Sequence, residues 1–481
     1  MLGRRIVGAA LRPQIKRGFA LFGEKDFKVV EERKLTPADH QFIVSEKYGF
    51  LPRDLPLWEL PKEFSALDSL LNRAIINQPD GSKGLLAHGK FGDAVLKELP
   101  LYNVDNITDS RLVSALVRDY SFLASMYLLE PCDVSMRKNK VYGFARDVLP
   151  ASIAVPFTKL AEKAGAYPFL EYSNGYVGTN WKLVDTTKPM DPENIRLLRQ
   201  FEGGRDEFWF MVIHLSMAQH SGALVAVTRK LLKAAEIKDR KAFLHHMTEL
   251  LHVNKKINYE MDRMWEQNRP AEYNNYRTFI MGSKNQPMFP NGILYEGVSK
   301  ERKFYRGETG ANDSMIPTLD NLLEVTGEMP QNSLTEILKD FRQYRPNDHN
   351  NWLSWVETKA RSVGIKKFAM EDPTSSVLML ANLDRIAEFR ERHWRFTKEY
   401  IIKHSKHPVA TGGSPITTWL PNQLTAVLKV IEEVSSNLKI DKLSDEHKKL
   451  AADLGKRATT QRQILTREVN ELKKLFPGQE L

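Results

Sequence analysis

The chain has 481 residues, 42% of them hydrophobic and 27% charged, with a formal net charge of +10; this is the composition of a folded globular protein and excludes the disordered and fibrous classes. A single cysteine, Cys132, excludes intrachain disulfides and multi-cysteine metal sites, so a bound metal needs histidine or carboxylate. The positive charge forms no basic stripe with interleaved aromatics, which argues against nucleic acid, and no apolar run reaches the roughly 20 residues of a bilayer-spanning helix.

Residues 1–23 carry Arg4, Arg5, Arg12, Lys16 and Arg17, with no acid before Glu24. An arginine-rich, acid-free start has the composition of a mitochondrial presequence cleaved near Arg17 to Leu21, and equally of a plain basic terminus on a cytoplasmic protein. Apolar periodicity then predicts helices over residues 63–76, 109–129, 194–200, 207–235, 240–265, 333–344, 375–405, 421–438 and 445–475. The fold class expected is all-α, predominantly helical. A turn-rich stretch at 185–192 (DTTKPMDP) places a boundary between a smaller, mixed N-terminal domain, 24–188, and a large helical domain, 189–481. Internal repeats and low-complexity segments are absent.

Within the predicted helices, histidine is the residue that stands out. His214 follows Phe208-Trp209-Phe210-Met211-Val212-Ile213, a helix apolar all round. His393 lies in the stripe Ile386, Phe389, His393, Phe396, Tyr400, whose steps of three and four put all five on one face. A neutral imidazole in an apolar wall is costly unless both nitrogens find partners. It is satisfied either by ordinary core hydrogen bonds or by coordinating iron through one nitrogen while the other donates a hydrogen bond. Arg390, one turn before His393, would orient an acidic partner or stand as a surface charge. His245, His246 and His252 have offsets of one and seven, not the i, i+4 pair of helical metal sites, and read as structural.

Two loops rich in small residues and backbone donors suit close approach to a carboxylate: Gly307-Glu308-Thr309-Gly310-Ala311 and Ala410-Thr411-Gly412-Gly413-Ser414. Arg277 follows the aromatic run Tyr273-Asn274-Asn275-Tyr276. It reads as a carboxylate clamp beside a planar ring or as an ordinary structural ion pair.

Taken in order, the segments resemble the indoleamine 2,3-dioxygenase family. The resemblance begins with Leu149-Pro150, Ile153-Ala154-Val155-Pro156, Pro168, Tyr172 and Asn180-Trp181. It continues through Arg277, Gly282-Ser283-Lys284, Pro287 and Gly292-Ile293-Leu294-Tyr295-Glu296-Gly297, then Gly307 to Ala311 and Leu319-Asp320. Phe341-Arg342-Gln343-Tyr344-Arg345-Pro346, His349, the helix with His393 and the Thr411-Gly412-Gly413 loop close it. About two thirds of the chain, from Leu101 to Leu424, is covered.

The resemblance implies a small domain capping a large helical domain that holds heme b, with His393 as the proximal iron ligand and Asp320 and Arg390 beside it near a propionate. Arg277 then matches the arginine that holds the substrate carboxylate. Thr309, Gly310 and Ala311 occupy the interdomain loop, and Thr411, Gly412 and Gly413 the mobile loop over the substrate. Phe210 matches an aromatic that packs on the indole, and Tyr127 an aromatic of the pocket's inner wall. His214 stands where vertebrate members have a serine, a choice resembling the tryptophan 2,3-dioxygenases, and implies a hydrogen bond to the indole nitrogen. One departure concerns the wall: two aromatics commonly precede the family arginine by five and four residues, and here these are Glu272 and Tyr273.

The activity implied is insertion of both atoms of O2 across the C2–C3 bond of L-tryptophan or a related indoleamine. The product is N-formylkynurenine, on the kynurenine route to NAD, and an electron donor keeps the heme ferrous in a monomeric enzyme. Two other readings stay open: a heme- and tryptophan-binding sensor without turnover, and a helical scaffold without cofactor.

Overall fold

The computed structural model describes residues 26–475 apart from 329–332, 406 and 408. The expected presequence, residues 1–23, lies outside the described residues. The chain is all-α, as its periodicity predicts. Its longer helices are Ser110–Asn139, Ala151–Ala164, Arg205–Ala218, Ser221–Glu236, Arg240–Asp262, Asn347–Val363, Pro373–Phe396, Ile416–Ser436 and Asp445–Leu475. Strands, among the described residues, form two short pairs: Val148–Leu149 parallel to Leu294–Tyr295, and Trp181–Leu183 antiparallel to Ile195–Leu197. The boundary expected at residues 185–192 falls in the connection of that second pair. One continuous hydrophobic core joins elements on both sides of it.

The helix Ser110–Asn139 starts where the Asp109 carboxylate accepts the Leu112 N–H at 2.8 Å, an N-cap that satisfies one of the orphan donors of the first turn. Most of its length is buried all round. By length and hydropathy this helix and the stretch Arg205–Glu236 would suit a bilayer, but 94% and 67% of their most apolar windows are packed inside the protein. They are core helices. The buried interior of the first also carries a charge cluster: Asp119 is paired with Arg118 Nε and Arg199 Nη2, each at 2.7 Å, and Arg199 reaches Asp68 at 2.6 Å. Burial alone would raise the Asp119 carboxyl, but the Arg118 and Arg199 guanidiniums outweigh it and bring it down to about 2.

The helix predicted over 207–235 is two helices, Arg205–Ala218 and Ser221–Glu236. Ser221 Oγ donates to the Ala218 carbonyl at 2.6 Å and accepts the Phe50 N–H at 3.0 Å. Gly222 lies against the Lys47 carbonyl, where a Cβ would collide. A turn from the distant segment 46–50 thus interrupts the helix, and nothing local announces it. At 194–200 the predicted helix is a 3₁₀ turn, Pro192–Asn194, followed by the strand Ile195–Leu197, because Trp181–Leu183 supplies a pairing partner. The helix Asn347–Val363 opens on poor helix formers and is held by burial of Trp352, Trp355 and Val356.

The helix bearing His393, Pro373–Phe396, opens on an Asp372 cap that accepts the Ser375 N–H at 2.9 Å, with proline in its first turn. Its continuation, Thr397–Ile402, is a π-turn, which widens the helix and keeps Tyr400 and Ile401 on the same side as His393. The helix packs along Arg240–Asp262. Asn254 Nδ2 donates to Asn382 Oδ1 at 2.9 Å, and Asn258 Nδ2 to the Arg385 carbonyl at 3.1 Å.

Removing Asp119 leaves two buried guanidiniums without their shared anion. Asp119→Ala is expected to lower the unfolding free energy by about 3–5 kcal/mol in urea denaturation, and a loss of well under about 1 kcal/mol would show that the cluster is solvated.

Candidate active site

The helices Arg205–Ala218 and Pro373–Phe396 wall a cavity of about 260 Å³ closed by residues 308–321 and 410–423, close to the lower end of the volumes that hold small ligands. Its surface is mostly apolar and aromatic: Tyr172, Phe210, Tyr273, Phe389, Phe396, Tyr400 and Trp419 contribute rings. Phe210 lies 4.9 Å from the His214 ring and 5.5 Å from Tyr273, centroid to centroid.

Both helix histidines face this cavity. The Nδ1–H of His214 donates to the Phe210 carbonyl at 2.7 Å. A carbonyl only accepts, so Nδ1 carries the proton and Nε2 is left as an acceptor. Burial lowers the His214 pKa against that hydrogen bond, and the ring is neutral at physiological pH. Gly310 stands over Nε2, where a Cβ would come to 3.7 Å. His393 is enclosed by protein yet keeps surface toward the cavity. Burial, reinforced by His214, pushes its pKa down to about 4.

Charge is gathered at another part of the wall. Arg390 pairs with Asp320 at 2.5 Å, both 7% exposed. Arg390 Nη1, Asp320 Oδ1 and Arg345 Nη1 are buried without hydrogen-bond partners. Arg345 donates to the carbonyls of Ala311 and Asn312 at 2.7 and 3.2 Å, supporting the Thr309–Ala311 loop from behind. Burial first, then the neighbouring Arg342, push the Arg345 pKa down to about 9, against the attraction of Asp313 and Asp320. Cations so poorly compensated favour an anion between them. A neutral imidazole with no side-chain hydrogen bond among the described residues, an aromatic cavity and partnerless guanidinium nitrogens fit heme, a flat apolar group with anionic carboxylates and an iron that takes a nitrogen ligand.

Phe210, His214, Thr309, Gly310, Ala311, Asp320, Arg390, His393 and Thr411 therefore share one cavity. Four other expected residues do not line it. Tyr127 stands on the helix Ser110–Asn139, its ring under the Arg146 guanidinium at 4.8 Å. Arg277 is fully buried behind the wall, where Nη2 donates to the Val409 carbonyl at 2.9 Å and Nη1 to Ser405 Oγ at 3.5 Å. Two of its guanidinium nitrogens thus hold the strap 405–409 at Ser405 and Val409, while Nε is buried without a hydrogen-bond partner. Gly412 packs on Phe341, and Gly413, at φ +80°, on the Lys284 carbonyl.

The loop expected to be mobile is fastened. Thr411 Oγ1 donates to the Glu308 carbonyl at 2.7 Å, Gln286 to Ala410 at 2.7 Å, Arg306 to Gly412 at 3.0 Å and Asn285 to Gly413 at 3.1 Å. Glu272 turns away from the cavity toward Asn275 and Arg269, so Tyr273 alone represents that aromatic pair in the wall. His245, His246 and Glu249 bring ligand atoms within 4.8 Å of one another on a different surface.

Sequence reasoning missed Arg342, Arg345 and Glu308 as wall residues, although each lies in a quoted segment. It also passed over Tyr172, which the π-turn Tyr172–Tyr176 carries into the cavity. Phe389, Phe396 and Tyr400 were legible, since they share the His393 stripe.

Residues 38–450 match the sequence model of a family described as Indoleamine 2,3-dioxygenase. The chain is 28% identical over 381 residues to mouse Indoleamine 2,3-dioxygenase 1, covering 78% of this chain and 86% of that protein. Against the Indoleamine 2,3-dioxygenase of Saccharomyces cerevisiae it is 25% identical over 402 residues, covering 78% and 83%. It is also 24% identical over 370 residues to the Myoglobin of Haliotis madaka, covering 76% and 89%.

The placement of Arg277 separates two roles. If it anchors the strap, Arg277→Ala lowers stability by about 2–3 kcal/mol in chemical denaturation, the scale of a lost buried hydrogen bond to a charged group. An unchanged denaturation midpoint with a raised KM would instead make it a substrate clamp.

Proposed function

Because this chain belongs to the indoleamine 2,3-dioxygenase family, heme dioxygenases acting on tryptophan or indoleamines, we propose that it inserts both atoms of O2 across the C2–C3 bond of L-tryptophan to give N-formylkynurenine. The observation that carries this reading is the pair of neutral histidines, His214 and His393, facing one aromatic cavity that also holds the Arg390–Asp320 pair. The product would feed the kynurenine route to NAD.

When bound, heme b supplies the redox centre at which O2 becomes reactive toward the indole. His393 is the residue to hold its iron, since burial keeps the imidazole unprotonated and no protein group claims its side chain among the described residues. Arg390, Arg342 and Arg345 would hold the carboxylates of the macrocycle, and Asp320 keeps Arg390 oriented. His214 Nε2 accepts the indole N–H, because Nδ1–H is already spent on the Phe210 carbonyl. Phe210 and Tyr273 offer faces for the indole ring, and with Tyr172 and Tyr400 they exclude water from the reacting atoms. Thr309, Gly310 and Ala311 border the substrate space beside His214, and Arg277 acts on that space through the strap it holds.

The resemblance to a protein named Myoglobin favours a second reading: a heme protein of the same fold that does not turn tryptophan over. Following the heme absorption band and formylkynurenine together separates the two. Under reductant and O2 the wild type is expected to show both, and His393→Ala to lose the band and the product; heme without product would establish the second reading, and a retained band would move the iron ligand elsewhere. The His214 assignment predicts that 1-methyl-tryptophan, which has no indole N–H, falls below tryptophan in kcat/KM by about ten-fold, the worth of one unsatisfied buried acceptor. Equal kcat/KM for the two substrates overturns it.

A further inference from the structure

Among the described residues, the buried acids are partnered, with one exception. Asp119 has two arginines, Glu130 has Arg146 and two backbone N–H groups, Glu207 accepts three backbone N–H groups and Asp320 has Arg390. Glu308 is 2% exposed and lines the cavity. Its Oε1 is buried without a hydrogen-bond partner, and no ion pair is found for it among the described residues. An unpaired buried carboxyl is costly, and where the fold keeps one in a cavity wall its partner is to be sought in the ligand.

The backbone leaves Glu308 little freedom to turn away. Its N–H donates to the Ile280 carbonyl at 3.1 Å, and its carbonyl accepts the Thr411 hydroxyl at 2.7 Å. The titratable groups around it are the Glu171 carboxylate, the Tyr172, Tyr176 and Tyr273 phenols and, across the loop at Gly310, neutral His214. Those phenols are raised by burial and stay protonated. The cavity's arginines act instead on Asp320 and Asp313. Among the described residues, no cation answers this carboxyl.

We propose that Glu308 receives the amino group of the substrate, so that the cavity selects aromatic amines and amino acids over the corresponding acids without nitrogen. The inference rests on the dioxygenase reading only for the identity of the aromatic ring. Burial, with Glu171 adding to it, pushes the Glu308 pKa up to about 8. At neutral pH the acid form therefore predominates, and an arriving ammonium makes ionisation favourable. Binding then sends the carboxyl proton to solvent.

The test uses the heme-loaded full chain and three probes, L-tryptophan, tryptamine and indole-3-propionate, titrated by the shift of the heme absorption band. Wild type is expected to bind the two amines at least about ten-fold more tightly than indole-3-propionate. Glu308→Gln keeps shape and removes the ability to ionise. It should weaken both amines by about ten-fold, leave indole-3-propionate nearly unchanged, and so erase the preference. Glu308→Asp should restore part of it. Calorimetry at pH 7 in two buffers of different ionisation enthalpy should find release of close to about one proton on tryptophan binding to wild type and none in Glu308→Gln, a signature that a purely structural acid does not give. A wild type without amine preference, or a preference that survives in Glu308→Gln with the same proton release, overturns the proposal. Failure of the dioxygenase reading looks different: the amine preference holds while wild type forms no formylkynurenine.

Discussion

The distance between the two cavity histidines depends on the helix Arg240–Asp262, which packs against both Arg205–Ala218 and Pro373–Phe396. Its grip on the His393 helix is polar and buried. Asn254 bonds Asn382, Asn382 donates on to the Met247 carbonyl at 3.1 Å, and Asn258 bonds the Arg385 carbonyl. Apolar contacts alone tolerate sliding by part of a turn, whereas amide hydrogen bonds in a dry interface have one register. That register sets which side chains of Pro373–Phe396 meet the cavity, and therefore that Phe389, His393 and Phe396 do so together.

Electrostatics divides the cavity. Arg342, Arg345 and Arg390 share one region with Asp320 and Asp313, and two of their guanidiniums keep a nitrogen unpaired. Glu308 stands apart among phenols, with Glu171 as its charged neighbour. Such a layout suits two ligand charges of opposite sign, an anion at the arginines and a cation at the acid, while the neutral imidazoles of the same wall neither attract nor repel strongly. A fully compensated wall would have been more stable and less selective.

The loops that complete the cavity are held by backbone hydrogen bonds spread over several elements. Arg306, Asn285, Gln286 and Arg277 each secure a different carbonyl between Val409 and Gly413, and Arg345 secures Ala311 and Asn312. Two loops far apart in the chain are joined directly where Thr411 bonds the Glu308 carbonyl. Glycine is required at Gly413 by its left-handed φ and at Gly412 by the Phe341 ring, so those two residues shape the loop without touching the cavity.

Periodicity in the sequence was enough for the all-α class, for the helix at 445–475 to the residue, and for the face that carries Phe389, His393, Phe396 and Tyr400, because an amphipathic stripe is a local property of a helix. Ordered segments were enough for the family. The same local information could not reveal the break at Gln219–His220, which a turn from residues 46–50 imposes, nor the strand at Ile195–Leu197, which needs its partner. It could not tell that Arg277 would hold Ser405 and Val409, more than a hundred residues away, that the Tyr127 ring would lie under Arg146, or that Glu308 would be, among the described residues, the buried acid left without a partner. Which side chains line a cavity, and which of them remain unpaired, is settled by packing between distant segments, and only the tertiary structure contains it.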